Sequence, residues 1–246
     1  MKRFENKTIL VTGASSGIGL AGAKRLIEEG AHVIFTGRTE SHVQAAAAEL
    51  GDHATAVLDD VSDGNTLERI MPVVERAGAL DGVWLNAAYA AGGPLEEMDQ
   101  TTLDQIFKVN VVAPMIQMGA LSPYVKDGGS VLVTSSTAAY EGAPIVSAYA
   151  ATKAAILAAA RGWASELAPR NIRVNSLVPG PITSNLRSVL PDEMRAQFEE
   201  RLAEVVLLKR VGDAHEAAAV ALFLLSDEAS YVTGSSYTVD GGLIMQ

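Results

Sequence analysis

Residues 10–26, LVTGASSGIGLAGAKRL, join an apolar run to an amphipathic segment through a glycine-rich turn. The apolar run predicts a buried strand, Thr8–Val11, and the amphipathic segment predicts a helix, Gly17–Glu29. Glycines at such a turn permit positive φ and let a phosphate approach the amides of a helix N-terminus. The same letters also contain Gly-x-Ser-x-Gly, the nucleophile turn of serine hydrolases, with Ser15 as nucleophile. A turn that serves packing alone is a third interpretation.

The rest of the chain repeats this alternation of strands and helices. Further apolar runs predict strands at His32–Thr36, Thr55–Leu58, Gly82–Leu85, Ser130–Thr134, Arg173–Leu177 and Ser236–Val239. Helical patterns between them predict helices at Thr39–Leu50, Asn65–Ala77, Thr101–Lys126, Ser147–Leu167, Pro191–Glu204 and Ala214–Ser226. This order predicts an α/β Rossmann fold, a doubly wound, seven-stranded parallel sheet with helices on both faces. We expect one domain over residues 1–246.

Composition excludes several classes of protein. The 29 acidic and 19 basic residues give a net charge of −10, and without a basic run we expect no nucleic-acid or membrane partner. The chain has no cysteine, and its four histidines lack metal-binding spacing, so no metal site is expected. No apolar run approaches the ~18 residues of a membrane helix. The N-terminal apolar run is too short for a signal peptide, so we expect a cytoplasmic protein.

The end of the second predicted strand bears on the choice of dinucleotide. In doubly wound sheets, ligands bind beyond the carboxyl ends of the strands, where the strand order reverses. Gly37 stands where NAD sites usually place a carboxylate for the ribose hydroxyls. The next residue, Arg38, could pair with a 2′-phosphate instead, which favours NADP over NAD. A solvated surface arginine is the alternative.

Tyr149 and Lys153 form the most informative local pattern. They are four residues apart in a predicted helix and so share a face. A phenol titrates near pH ~10, and a nearby ammonium favours the phenolate, which would bring proton transfer within reach at neutral pH. Ser136 follows a predicted strand thirteen residues before Tyr149, and Asn110 lies inside a predicted helix that disfavours asparagine. Taken alone, the pair could equally be a surface tyrosine and a solvated lysine.

In this order, the motifs make the sequence resemble the short-chain dehydrogenase/reductase family, including its 3-oxoacyl-carrier-protein reductase-like members. The resemblance runs from about Lys7 to Gly242. Residues 12–19 match the family's T-G-x-x-x-G-x-G turn, and the catalytic tetrad matches Asn110, Ser136, Tyr149 and Lys153. The cofactor contacts implied are Gly13, Ser15, Ser16, Gly17, Ile18, Gly19, Arg38, Thr39, Asp60, Val61, Asn86, Ala87, Ala88, Tyr149, Lys153, Pro179, Gly180, Ile182 and Ser184.

The resemblance implies hydride transfer between a nicotinamide dinucleotide, NADP(H) preferred and NAD(H) possible, and a carbonyl or secondary alcohol. Tyr149 would be the acid in reduction and the base in oxidation. Lys153 would hold the nicotinamide ribose and depress the tyrosine pKa. Ser136 would orient the substrate oxygen, and Asn110 would position a water that relays protons to Lys153. A homotetramer or homodimer is also common in the family.

Two segments bear on the substrate. Residues 85–88 read Leu-Asn-Ala-Ala where the family has N-N-A-G, so a polar group that braces the central strand is replaced by leucine. Residues 185–212 occupy the segment that closes over substrate in the family. Apolar residues there and around Tyr140 predict a largely apolar pocket.

Two alternatives to an oxidoreductase are a serine hydrolase and a non-catalytic protein. Only one predicted strand precedes Ser15, and His215 is the sole late histidine, which disfavours a hydrolase. A non-catalytic dinucleotide-binding regulatory or interaction protein on the same fold stays open, because a fold alone does not fix function.

Overall fold

A computed structural model of the chain describes residues 2–183, 202 and 204–245. Within these residues, seven strands form one parallel sheet in the order β3-β2-β1-β4-β5-β6-β7. The strands are β1 (Thr8–Val11), β2 (His32–Gly37), β3 (Ala54–Leu58), β4 (Leu80–Leu85), β5 (Val125–Thr134), β6 (Arg173–Pro179) and β7 (Ser236–Val239). The Rossmann fold predicted from the alternation is confirmed.

Helices connect the strands and cover both faces of the sheet. They are α1 (Gly17–Glu28), α2 (Glu40–Leu50), α3 (Thr66–Ala77), α4 (Gln100–Phe107), α5 (Ala113–Leu121), α6 (Ala138–Glu141), α7 (Ser147–Leu167) and α8 (Ala214–Leu225). Among the described residues, no helix combines the length and the apolar character needed to cross a membrane.

Successive strand residues serve opposite faces of the sheet, as the period of two requires. Ile9 and Val11 pack in the cluster formed with α1, α2 and α8, whereas Leu10 packs in the cluster formed with α3, α5 and α7. In β4, Trp84 joins the first cluster and Leu85 the second. This two-sided burial explains why the strands read as continuous apolar runs.

The strand order places the ligand-binding edge of the sheet. The chain runs outward from β1 to β2 and β3, then returns to add β4 on the other side of β1. Connections therefore diverge at the carboxyl ends of β1 and β4, which is the switch point at which such sheets bind ligands.

The predicted helix Thr101–Lys126 is wrong in its extent. The chain instead forms α4, a π-helical turn at Lys108–Val112, and α5, which ends at Leu121. Pro114 cannot donate the backbone N–H that the interior of one continuous helix would need and instead lies in the first turn of α5, and Pro123 lies in the short 3₁₀ turn that follows α5. As a result, β5 begins five residues earlier than predicted. Most of the predicted helix Pro191–Glu204 lies outside the described residues.

Candidate active site

The glycine-rich turn after β1 lies directly against the end of β4. Gly13 has φ +66°, a conformation that favours glycine because it has no Cβ. A Cβ built on Gly13 would stand 2.6 Å from the Cα of Ala87. The turn therefore approaches the end of β4 closely, and the structure brings Gly13 and Ala87 together.

Thr12 and Asn86 lock this junction with hydrogen bonds. The Thr12 hydroxyl is buried and accepts from the backbone amides of Asn86 and Ala87 at 3.0 and 3.1 Å. The Asn86 side-chain amide donates to the carbonyls of Thr12 and Gly13, and its oxygen accepts from the Thr134 hydroxyl at 3.0 Å. These bonds tie the ends of β1, β4 and β5 together. They brace the central strand while Leu85, in place of the family's asparagine, packs in the core.

Replacing the Thr12 hydroxyl tests this bracing. Thr12→Val keeps the side-chain shape and leaves two backbone amides without their acceptor, at a cost of about 1–3 kcal/mol for each unsatisfied group. We expect the free energy of unfolding, measured by urea denaturation, to fall by about 2–6 kcal/mol. Thr8→Val, the same exchange at the half-buried start of β1, serves as control and is expected to change stability by less than ~0.5 kcal/mol. Equal unfolding midpoints for both variants would contradict the bracing role.

The first turn of α1 is available for an anion. Ser16 is the N-cap residue in extended conformation and forms no side-chain capping bond. Helix geometry leaves the amides that follow it, from Gly17 through Gly19, without intrahelical acceptors, and they lie at the carboxyl edge of the sheet. The helix dipole favours a phosphate at this position. Ile18, the residue between these glycines, packs partly against the core.

Ser15 and the end of β2 meet at Gly37. A Cβ on Gly37 would stand 2.5 Å from the Ser15 hydroxyl oxygen and 2.7 Å from its Cβ. A carboxylate side chain therefore has no room at this position unless Ser15 shifts. Arg38 follows directly and is exposed, as is Thr39, the N-cap residue of α2. The packing of Ser15 against Gly37 therefore explains why residue 37 carries no acidic side chain.

The end of β3 carries a charged network beside Asp60 and Val61. Asp59 is buried and accepts from Thr66 and Arg69, each at 2.8 Å. Burial raises the pKa of the Asp59 carboxyl, while these two hydrogen bonds oppose the shift. Arg69 also donates to the carbonyl of Asp60, so the network fixes the backbone of the predicted adenine-contacting pair. Val61 itself is buried.

Tyr149 and Lys153 are brought together as the spacing predicts. The Lys153 ammonium lies 5.5 Å from the centre of the Tyr149 ring and donates to the carbonyl of Thr134 at 3.1 Å. Only 2% of Lys153 is exposed. Burial lowers the pKa of Lys153 to about 8, so the amine is still mostly charged at pH 7 and loses its charge at moderately alkaline pH.

Asn110 lies in the π-helical turn and holds the segment that follows β4. Its oxygen accepts from the backbone amide of Tyr89 at 2.8 Å, and its amide donates to the Tyr89 carbonyl at 2.8 Å. The same amide donates to the Thr152 hydroxyl at 3.1 Å, and Thr152 donates to the carbonyl of Tyr149. The side chain of Asn110 therefore links the β4 loop to α7. The π turn, which a sequence pattern does not reveal, sets its position.

Ser136 lies just after β5, where its hydroxyl oxygen accepts from the backbone amide of Ala138 at 3.2 Å. Its neighbour Ser135 is buried and donates to the carbonyl of Lys153 at 2.8 Å. Ser135 thereby fixes α7 against the end of β5, while Ser136 is half-buried. The two adjacent serines have different roles in the structure.

The end of β6 completes the carboxyl edge. Pro179 is the last residue of β6, and Gly180 donates to the carbonyl of Val239 at 3.0 Å. Ile182 is buried and pairs with Gly212 in an isolated bridge. Ala88 lies half-buried in the loop after β4. Ser184 and most of the predicted closing segment 185–212 lie outside the described residues.

A small cavity of about 10 Å³ lies where these elements meet, with Thr12, Ala87, Asn110, Thr134 and Lys153 among the residues that line it. That volume is at the lower limit for one water molecule. Within the described residues, no group of three or more acidic, histidine or cysteine side chains is placed to hold a metal ion.

These residues fit a nicotinamide dinucleotide. The turn has no side chain at Gly13, Gly17 or Gly19, the uncapped start of α1 supplies donors, and the buried Lys153 supplies a cation beside a phenol. The arrangement can therefore bind an anionic cofactor and move a proton at the same edge of the sheet.

Sequence reasoning missed the threonines that hold this site. Thr134 and Thr152 were not predicted, and Thr12 was recognised only as part of the glycine motif. Thr12 and Thr134 are the polar residues that directly follow or end apolar strands, which is a signal that the sequence contains. Thr152 carries no such signal, because its partners Asn110 and Tyr149 are distant in the chain.

Comparisons with known proteins agree with this geometry. Residues 13–244 match the family model described as enoyl-(acyl carrier protein) reductase. Dehydrogenase/reductase SDR family member 4 from Sus scrofa is 37% identical over 249 residues, which cover 98% of this chain and 88% of that protein.

Solved structures extend the comparison. A short-chain dehydrogenase/reductase of the glucose/ribitol dehydrogenase type from Brucella melitensis has a TM-score of 0.93 and 32% identity over 100% of both chains. The 3-ketoacyl-(acyl-carrier-protein) reductase from the same organism, solved in complex with NADH, has a TM-score of 0.89 and 29% identity. It covers 98% of this chain and 99% of that one.

Proposed function

The chain belongs to the short-chain dehydrogenase/reductase family, and on this premise we propose that it transfers a hydride between NADP(H) and the carbonyl or carbinol carbon of a small, largely apolar molecule. Membership makes the protein a dinucleotide-dependent oxidoreductase that acts on CH–OH groups. The observation that carries the proposal is the buried Lys153 ammonium beside Tyr149 at the switch point of the sheet.

Tyr149 is the proton donor in reduction and the proton acceptor in oxidation. When bound, the nicotinamide supplies or accepts the hydride, and the protein supplies position and charge. In reduction, the Tyr149 hydroxyl gives its proton to the substrate oxygen and becomes a phenolate. The charged Lys153 lowers the free energy of that phenolate, because an opposite charge nearby favours the ionised form.

Lys153, Asn110 and Ser136 support this proton transfer. Lys153 holds the nicotinamide ribose hydroxyls. Asn110 and Lys153 line the same cavity, which supports a role for Asn110 in positioning a water that returns a proton toward Lys153. The half-buried Ser136 hydroxyl follows β5 and orients the substrate oxygen toward Tyr149.

The remaining predicted contacts hold the dinucleotide along the carboxyl edge. Residues of the glycine turn bind the diphosphate, Asp60 and Val61 contact the adenine, and the backbone after β4 and β6 contacts the nicotinamide half. The tight packing of Ser15 against Gly37 and the exposed Arg38 beside it support NADP(H) as the preferred dinucleotide, because arginine binds a 2′-phosphate well.

Replacing Arg38 tests whether this residue distinguishes NADPH from NADH. Arg38→Ala is expected to raise the Kd for NADPH by about 10- to 100-fold, because a charge-assisted bond to the 2′-phosphate is lost. The Kd for NADH is expected to stay within about twofold of the wild-type value. Dinucleotide fluorescence titration measures both constants. Arg76→Ala, at an exposed arginine on α3, is the control and leaves both constants unchanged. Equal losses of NADPH and NADH affinity would refute the 2′-phosphate role.

We also propose a homodimer or homotetramer. Phe107, Val112, Met115 and Ile116 on the α4–α5 segment are each 38–49% exposed, a cluster of apolar surface that a second copy would cover. Sedimentation equilibrium distinguishes these assemblies from a monomer.

A substrate panel tests the proposed function. Wild-type protein is supplied with NADPH or NADH and with ketones, diketones, 3-oxoacyl thioesters, sugars and steroids, and the loss of dinucleotide absorbance is followed. We expect turnover of apolar ketones, faster with NADPH. Turnover of charged small carbonyls alone would contradict the apolar pocket.

A further inference from the structure

Ile145 holds a backbone conformation that its side chain disfavours. Its φ is +60°, and among the described residues it is the one β-branched residue with positive φ. Left-handed backbone is a strained state for a β-branched residue, and such strain persists only when the surrounding structure enforces it. Strained residues of this kind concentrate at functional sites.

Contacts with the loop after β4 enforce this conformation. The Ile145 carbonyl accepts from the backbone amide of Gly93 at 2.8 Å, and a Cβ on Gly92 would stand 2.6 Å from the same carbonyl oxygen. The β4 loop is in turn fixed at Tyr89 by Asn110. Ile145 therefore joins the loops that follow β4 and β5, across the carboxyl edge of the sheet.

The side chain at this junction is apolar and open. Ile145 is 61% exposed and precedes Tyr149 by four residues. Two further large apolar side chains in the segments that follow β4 and β5 are also exposed, Leu95 and Tyr140. We name these three residues the apolar rim. Strain and exposed apolar surface both carry a free-energy cost, and at Ile145 they coincide two residues before the start of α7 and four residues before the proposed proton donor.

We propose that Ile145 is a specificity-determining residue whose side chain contacts the alkyl part of the substrate beside the carbonyl that Tyr149 protonates. The enzyme then favours ketones that carry an alkyl chain over compact ones. This inference rests on the proposed function, because Tyr149 defines where the carbonyl lies. The strained backbone keeps the isoleucine at the edge of the site, and the Gly93 amide holds that backbone in place.

Binding of a ketone series tests this role without turnover. Protein saturated with NADP⁺, or with NAD⁺ if that binds more tightly, is titrated calorimetrically with 2-butanone, 2-hexanone and 2-octanone. The oxidised dinucleotide cannot reduce a ketone, so the titration reports binding alone. For wild type we expect the Kd to fall by about tenfold or more from 2-butanone to 2-octanone, since each buried methylene favours binding.

The Ile145→Asn variant removes the apolar contact and suits the backbone, since asparagine tolerates positive φ. We expect its Kd for 2-octanone to rise about tenfold, that for 2-butanone to change less than twofold, and its Tm to be at least that of wild type. Ile145→Val, which keeps the branched apolar shape, should restore most of the chain-length preference. Tyr231→Asn removes an exposed ring before β7, at the opposite edge of the sheet, and should leave the series unchanged.

Two results would overturn the inference. One is a wild-type Kd that does not depend on chain length, and the other is the same dependence in Ile145→Asn as in wild type. A different result bears on the proposed function. If the ketones bind with the expected dependence on chain length but none of them is reduced by NADPH or NADH, ketone reduction is refuted. The role of Ile145 in binding then remains intact.

Discussion

The Tyr149→Phe variant is expected to reduce ketones about 10²- to 10⁴-fold more slowly than wild type, while its affinity for dinucleotide changes less than about twofold. The exchange removes the hydroxyl that gives its proton to the substrate oxygen and keeps the ring over which Lys153 lies. The backbone carbonyl of residue 149 still accepts from Thr152, so the start of α7 keeps its structure. Stopped-flow measurement of dinucleotide oxidation gives the rate, and fluorescence titration gives the affinity.

A second tyrosine controls for nonspecific effects of losing a phenol oxygen. Tyr124→Phe removes a hydroxyl that lies before β5, at the far edge of the sheet, and donates weakly to Glu75 at 3.5 Å. Its rate should match wild type within about twofold. If Tyr149→Phe retains wild-type turnover, Tyr149 is not the proton donor.

The Lys153→Met variant is expected to lose most activity and to gain stability. Burial lowers the pKa of Lys153 from its ordinary 10.5 to about 8, so the folded chain carries a buried charge at pH 7 at a cost of about 3 kcal/mol. Methionine is unbranched and removes this charge, although the Thr134 carbonyl loses its donor. We therefore expect the free energy of unfolding at pH 7, without dinucleotide, to rise by about 1–3 kcal/mol.

The pH dependence identifies the cause of this gain. Between about pH 8 and 10.5 the unfolded chain binds the lysine proton and the folded chain does not, so the contribution of Lys153 to stability rises with pH across this window. Urea denaturation at pH 7 and pH 10 should show this rise in wild type, and Lys153→Met should lack it. Lys24→Met, at an exposed lysine, should keep it. A less stable Lys153→Met at pH 7 would contradict the buried charge.

Much of the fold follows from local patterns in the sequence. Ile9 and Val11 face one helical layer and Leu10 the other, and a run that is apolar on both sides is what a doubly covered strand requires. β1, β7 and α7 have the predicted bounds, and the other described strands differ from prediction only at their ends. The Tyr149–Lys153 contact also follows from spacing alone, because residues four apart share a helix face.

The remaining features depend on contacts between distant parts of the chain. Asn110 lies in a π-helical turn and binds Tyr89 and Thr152, which no helical period predicts. The positive φ of Ile145 depends on the loop at Gly93, and isoleucine itself gives no signal for such a backbone. The sequence shows that Gly37 stands where NAD sites usually have a carboxylate. Its packing against Ser15 is seen only in the structure, where β2 and the glycine turn are adjacent.

The transfer of deuterium from dinucleotide to product tests the central claim most directly. Wild-type protein and Tyr149→Phe are each incubated with 2-octanone and NADPH that carries deuterium at the transferable C4 position, and the 2-octanol formed is analysed by mass spectrometry. We predict one deuterium on the carbinol carbon of the product from wild type and at most a trace from Tyr149→Phe. Wild-type protein that binds NADPH and forms no deuterated alcohol from this ketone, or from any carbonyl of the panel, would contradict the account.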